Sequence, residues 1–320
     1  MLARHAMQLY WIGRYLERAE DTTRLIDATQ HGVLEVAVDA RPPREMWEEL
    51  FEVLFLEEDV DRIEGQPTSI LRLLMSDTSY PGSVASTVIR ARENARVSRE
   101  WLSTEVWEAI NTLHLSLAST DLDAAVSERF YSLLQQVKSG CQSIVGAAQA
   151  SMPRGDGFRF YQIGQRIERA LITIRVLHVW HRKLGGFLTT AAFAEWVRLL
   201  RSLSAFEGYL RAHRAAIDGG RVLEYLMVDP HFPRSLVRSL VVAEDHLVEV
   251  ASEDVGLASR RMAGRLRARI EFAEPAGMEA GDLSALLAEV EDDLVALAGQ
   301  IESDYFRPGS HAWMHSYEAV

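Results

Sequence analysis

The feature that most restricts the fold is an internal repetition. Residues 9–26 (LYWIGRYLERAEDTTRLI) return at residues 160–177 (FYQIGQRIERALITIRVL), with eight of 18 aligned positions identical at an offset of 151. Composition alone gives about one such identity. Further along, Trp47 and Leu50 match Trp196 and Leu199, and Asp77-x-x-Tyr80-Pro81-x-Ser83 matches Asp229-x-x-Phe232-Pro233-x-Ser235. The chain therefore reads as a tandem duplication, residues 1–153 and 154–320, joined through 152–157 (MPRGDG) and packed as one compact unit. Two copies on one chain predict a pseudo-two-fold relation between the halves.

Local periodicity is helical almost throughout. Apolar residues recur at steps of three and four, and β-branched alternation is scarce. The prediction is an all-α multi-helix bundle with helices at about 3–33, 43–62, 67–76, 82–117, 122–150, 158–184, 190–217, 219–228, 233–252, 254–273 and 282–304. Pro81 and Pro233 are expected in first helical turns, and Asp282 and Thr189 or Thr190 as N-caps.

Several function classes drop out. There is no Gly-x-Gly-x-x-Gly and no phosphate-cradling Gly-x-x-x-x-Gly-Lys. No run approaches the roughly 20 apolar residues that cross a bilayer. Arg4, His5, Arg14, Glu17 and Arg18 interrupt any signal-peptide core. A single cysteine, Cys141, excludes an internal disulfide and suits a reducing, cytoplasmic setting. The net charge of −12 argues against nucleic acid as a partner, although Arg260, Arg261, Arg265, Arg267 and Arg269 leave one cationic face open. No cofactor or metal is called for. His178 and His181 lack a completing ligand, and Arg154-Gly155-Asp156 reads as linker chemistry. The aromatic tail, with Tyr305, Phe306, Pro308, Trp313 and Tyr317, is expected to dock on the body or on a partner.

The repeated helix carries two stripes. Leu9, Ile12, Leu16, Ala19, Thr23 and Ile26, matched by Phe160, Ile163, Ile167, Ala170, Ile174 and Leu177, form a core-facing seam. Beside it run Tyr10, Gly13, Glu17, Asp21 and Arg24, matched by Tyr161, Gly164, Glu168, Ile172 and Arg175. A helical glycine costs about 1 kcal/mol relative to alanine, so Gly13 and Gly164 predict a close backbone approach. Glu17 and Arg24 stand about 10.5 Å apart along the axis and do not pair comfortably. A pseudo-two-fold offers Glu17 a partner in Arg169 or Arg175, and Glu168 one in Arg18 or Arg24. Such pairs are either interhelical or part of a ligand site.

The strings LYWIGRYLERAEDTTRLID, RARENARVSREWLSTEVWEAIN (90–111) and FYQIGQRIERA together resemble the bacterial alpha-E family, helical proteins named for a Glu-Arg motif, over essentially the whole chain. The resemblance maps that motif onto Glu17 and Arg18, and again onto Glu168 and Arg169. It maps the family's central segment onto Arg92, Glu93, Asn94, Arg96, Arg99, Glu100 and Trp107. It implies a circularly permuted ATP-grasp protein and a transglutaminase-like protein as partners, and a role in ATP-dependent peptide or amide-bond formation. The second copy departs at Gln162, Gln165 and Leu171, where the first has Trp11, Arg14 and Glu20, so if one half carries a site, the first is the choice.

Arg92, Arg96 and Arg99 recur at i, i+4 and i+7, which on one helix lines a face suited to a carboxylate or phosphate, and suited equally to interhelical pairing. Glu244, Asp245 and His246 replace Arg92, Glu93 and Asn94 in the second half, so this face is not duplicated. Two functions follow. The first is a helical scaffold for an ATP-grasp ligase or its peptide substrate. The second is an enzyme of that pathway acting on a carboxylate or amine through the Glu-Arg motif. A polar pocket around Glu17 with a raised carboxyl pKa favours the enzyme; carboxylates locked in ion pairs favour the scaffold. A homo-oligomer stays open.

Overall fold

In a computed structural model of the chain, the described residues are 1–35, 43–54, 67–184, 190–214, 217–252 and 255–306. Among them every regular element is helical: α1 (Ala3–Glu35), α2 (Pro43–Val53), α3 (Pro67–Met75), α4 (Val84–Val97), α5 (Thr104–Ala118), α6 (Leu122–Glu128), α7 (Phe130–Ser151), α8 (Asp156–Leu184), α9 (Thr190–Ser202), α10 (Phe206–His213), α11 (Gly219–Met227), α12 (Leu236–Val250), α13 (Leu257–Glu271) and α14 (Ala280–Tyr305). No helix among them is long and apolar enough to cross a membrane.

The two longest helices, α1 and α8, lie against each other at the centre. Every residue of both predicted seams is buried, and so are Glu17, Glu20, Asp21, Gln162 and Glu168. These helices are enclosed on more than one side, which explains why their apolar stripe is less marked than in a surface helix. Around α1 pack α4 and α7, with α5 bridging them; around α8 pack α12 and α14, with α13 bridging them. One continuous core runs from Ala6 to Phe306. The C-terminal end of α14 closes it: the Phe306 ring lies 5.3 Å from that of Tyr10, and Tyr305 sits edge-on to Phe160 at 5.1 Å. Pro308, Trp313 and Tyr317 lie outside the described residues.

The helix starts are chemically plain. Ser83 caps α4 by accepting from the Ser86 N–H at 3.0 Å, and Ser235 caps α12 by accepting from Arg238 at 3.1 Å. Ahead of each cap an aspartate folds the turn: Asp77 accepts from the Ser79 N–H and Asp229 from the His231 N–H. Pro81 and Pro233 therefore stand two residues before the caps, in these turns, rather than in the first helical turn. Ser83→Ala and Ser235→Ala are each expected to cost about 1 kcal/mol, read as a lower unfolding midpoint; unchanged midpoints would show that the turns do not depend on the caps.

Three predicted helices are divided. The expected helix at 82–117 ends at Val97, passes through a single tight turn at Arg99–Trp101 and resumes at Thr104 under a Ser103 cap. Tertiary contacts drive the break. Ser98 donates to Gln8 at 2.5 Å and the Trp101 indole donates to His5 at 2.8 Å, tying the turn to the start of α1. The helix expected at 122–150 breaks at Arg129, whose φ of −136° and ψ of 36° leave the helical region. The one at 190–217 is interrupted between α9 and α10. α14 starts after Glu279, so Asp282 lies inside its first turn rather than at the cap. Thr189 and the continuation of α2 beyond Leu54 fall outside the described residues.

Candidate functional site

The geometry around the Glu-Arg motif begins with two glycines. A Cβ on Gly13 would stand 2.1 Å from the carbonyl oxygen of Tyr161, and a Cβ on Gly164 would stand 1.9 Å from that of Tyr10. The two contacts are reciprocal: each glycine admits the backbone of the other helix four residues before its own motif glutamate. This approach carries the first turns of both motifs into one another.

One turn further on, the charges meet across the crossing. Glu17 accepts from Arg169 through both carboxylate oxygens, from Nε at 2.5 Å and from Nη2 at 2.8 Å. Glu168 accepts from Arg18 Nε at 2.5 Å and from Arg14 Nε at 2.6 Å. The Glu17–Arg169 pair is two-pronged, short and directional because guanidinium and carboxylate share a planar fork, whereas Glu168 is held by one Nε from each of two arginines. Arg234, in the turn before α12, adds a third arm. Its Nη1 lies 2.5 Å from Asp21 and 3.2 Å from Glu17, and its Nη2 lies 3.5 Å from Glu20. Glu20 in turn accepts from Arg24 at 2.5 Å. The result is a buried chain of charge running from the crossing along α1.

Burial alone would raise both motif carboxyls. The guanidiniums of Arg169 and Arg234 overcome it at Glu17, and those of Arg18 and Arg14 overcome it at Glu168, holding each at about 2. Asp21 goes the other way. Burial, aided by the carboxylates of Glu17 and Glu20 and opposed by Arg234, pushes it up to about 7. Glu17 and Glu168 are 1% and 2% exposed, ionised, and filled with donors on both oxygens. A carboxylate held ionised by buried guanidiniums and shielded from solvent is a weak proton acceptor, which makes both poor candidates for general-base work.

The other candidates are dispersed. Burial lifts the Tyr10 phenol to about 12, and its oxygen accepts from Arg14 at 3.4 Å. Tyr161 is also buried, with its hydroxyl lacking a hydrogen-bond partner among the described residues. Arg175 pairs with Glu291 at 3.2 Å, which also holds His178 at 3.0 Å, and His181 reaches the Ala280 carbonyl. The arginine face of the central segment does not form as a single helical face. Arg92 and Arg96 close on Glu93 at 2.7 and 2.9 Å. Arg99, beyond the end of α4, turns instead onto the Trp107 ring at 5.1 Å. On α13, Arg267 and Arg269 are neutralised by Glu244 and Asp293 respectively, among other carboxylates, while Arg260, Arg261 and Arg265 stay exposed along a 960 Å³ groove.

Arg234 and Arg14 were not selected from sequence. Arg14 faces Gln165 in the aligned strings, and Arg234 stands five residues after Asp229 where Gly82 stands after Asp77. An arginine replacing a glycine or a glutamine between otherwise matched strings is the signal that could have found both. A second cluster also went unread: Glu49 of α2 accepts from Arg198 of α9 at 2.5 Å, with Glu195 on the same guanidinium and the Trp180 ring beneath it at 4.4 Å.

A family model named Alpha-E, described as a predicted alpha-helical domain with a conserved ER motif, matches residues 1–306. Uncharacterized proteins of Mycobacterium bovis and Mycobacterium tuberculosis are each 24% identical to the chain over 307 residues, covering 90% of this chain and 34% of their own length. The chain thus spans about a third of the length of the curated relatives it matches. No solved structure matches it.

Proposed function

The chain belongs to the Alpha-E family, and on that premise we propose that it is a helical platform in an ATP-grasp-linked system that forms peptide or amide bonds. It is a tandem duplication, residues 1–153 and 154–320, whose copies are locked about a pseudo-two-fold by the family's Glu-Arg motif. The observation that carries this reading is the reciprocal pairing of Glu17 with Arg169 and of Glu168 with Arg18 inside the core. Residues committed to interior ion pairs hold a body in shape and leave its surface for partners. The matching succession of turn, cap and flanking helices after α1 and α8 supports the duplication. The greater length of the relatives supports a unit that works beside other domains.

On this reading the partner is a circularly permuted ATP-grasp protein, with a transglutaminase-like protein acting in the same system. The test is to titrate the full chain into that ATP-grasp protein and follow both complex formation and ATP turnover. A stoichiometric complex with altered turnover is the expected result, with no bond-forming activity from the chain alone. Turnover by the chain alone that is lost in Glu17→Gln, without a fall in its unfolding midpoint, would replace the platform with an enzyme.

A further inference from the structure

A polar cavity of about 620 Å³ opens between α1, α7, α9 and α10, a size within the range of small-molecule sites. Arg24, Asp27, Lys138, Arg201, Ser204 and Glu207 line it. Its walls are preorganised. Asp27 holds Lys138 Nζ at 2.7 Å and His31 at 3.3 Å, so the ammonium is fixed in place by one contact and keeps two of its three donors. Arg24 is held by Glu20 at 2.5 Å and thereby joined to the buried charge chain of the crossing.

Ser204 is the unusual member. It follows α9 in a left-handed conformation, φ 53°, with its N–H bonded to the Arg201 carbonyl and the next N–H, of Ala205, bonded to that of Leu200. This is the helix-ending arrangement that glycine fills at least cost, because a side chain there crowds the backbone. A serine at that place carries strain, and its Oγ is buried without a hydrogen-bond partner among the described residues. Strain and an unmade hydrogen bond at one residue of a polar cavity are both explained if a ligand supplies the missing partner.

We propose that this cavity binds a small amino-carboxylate, its carboxylate received by Lys138, Arg201 and the Ser204 hydroxyl and its ammonium by Glu207. Arg24 and Lys138 carry their own counter-ions, Glu20 and Asp27, and Arg201 and Glu207 add one charge of each sign to the lining, suited to a zwitterion. Glu207 is exposed at the same cavity and provides the single carboxylate not engaged with Lys138. The inference deepens the reading above, and rests on it for biological sense, since an amino acid is the natural substrate class of a system that forms amide bonds.

The test is calorimetric titration of the full chain with L-glutamate and with glutarate, which has the same two carboxylates and no amine. L-Glutamate is expected to bind saturably and at least about tenfold more tightly than glutarate, a difference that Glu207→Gln removes. Ser204→Gly keeps the backbone conformation, and its unfolding midpoint is expected to equal or exceed that of the parent while L-glutamate binding falls about tenfold. Lys138→Met is expected to weaken both ligands. Absence of saturable binding by the parent, or binding indifferent to Ser204→Gly and Lys138→Met, would overturn the proposal. Neither result touches complex formation with the ATP-grasp protein, so the two readings fail separately.

Discussion

Gly164→Ala is expected to lower the unfolding midpoint of the chain by at least about 5–10 °C, whereas Gly146→Ala and Gly299→Ala raise it. All three glycines lie inside helices, so each gains about 1 kcal/mol of helix propensity on becoming alanine. What differs is the space. Nothing lies within 4 Å of a Cβ on Gly146 or Gly299, whereas a Cβ on Gly164 meets the Tyr10 backbone at 1.9 Å. A main-chain carbonyl cannot rotate away as a side chain can, so the helices must separate by roughly 1 Å or more. Overpacking of a core costs about 1–3 kcal/mol and sometimes more. Here the separation also stretches the arginine–carboxylate pairs one turn away, placing the cost above that range. At about 2–4 °C per kcal/mol for domains approaching this size, the shift is easily measured. Gly13→Ala, facing Tyr161 at 2.1 Å, is expected to behave in the same way. A Gly164 variant as stable as the Gly146 variant would mean that the helices do not cross this closely.

Glu17→Gln and Glu168→Gln are each expected to cost about 3–5 kcal/mol at neutral pH, because each leaves two buried guanidiniums short of a carboxylate. The pH dependence separates this from a general loss of packing. Both carboxyls sit at about 2 in the folded chain against an ordinary 4.5. A depressed folded value means stability present above 4.5 and lost as pH falls through about 2, worth about 3 kcal/mol per group. The gap between parent and variant should therefore narrow steadily in acid. Asp21 has the opposite sign. Its folded value of about 7 lies above the ordinary 3.8, so its contribution is present below 3.8 and lost as pH rises through 7. Asp21→Asn is expected to flatten the fall in stability between about pH 4 and pH 7 while leaving the rise below pH 4.5 intact. Chemical unfolding followed from pH 3 to pH 9 reads both, and a gap between parent and Glu17→Gln that is constant across that range would rule out the ion-pair account.

Glu17 with Arg18, and Glu168 with Arg169, illustrate how far a local pattern carries. Their repetition beside a helical glycine marked the crossing and restricted each glutamate to a few partners. The choice of Arg169 over Arg175 needed the rotation of α8 about its own axis, which no spacing along one strand of sequence contains. Arg92, Arg96 and Arg99 show the converse. Their i, i+4, i+7 spacing was correct for a continuous helix, and the helix was ended by Ser98 and Trp101 bonding to Gln8 and His5, some 90 residues away. The cavity at Ser204 was invisible for the same reason. Its walls come from residues 24–31, 138–142 and 201–207, each of which by itself reads as an ordinary amphipathic helix or helix end.

The all-helical architecture, the two core seams and the demand for close approach at Gly13 and Gly164 were determined by sequence alone. They follow from hydrophobic period and the absence of a Cβ, both of which act within a few residues. Tertiary structure alone decided where helices stop short of their propensity, which guanidinium neutralises which carboxylate, and that Arg234 joins the network. Those outcomes depend on distances between segments far apart in the chain, and on burial, which turns a charge that would be indifferent in water into one that must find its partner.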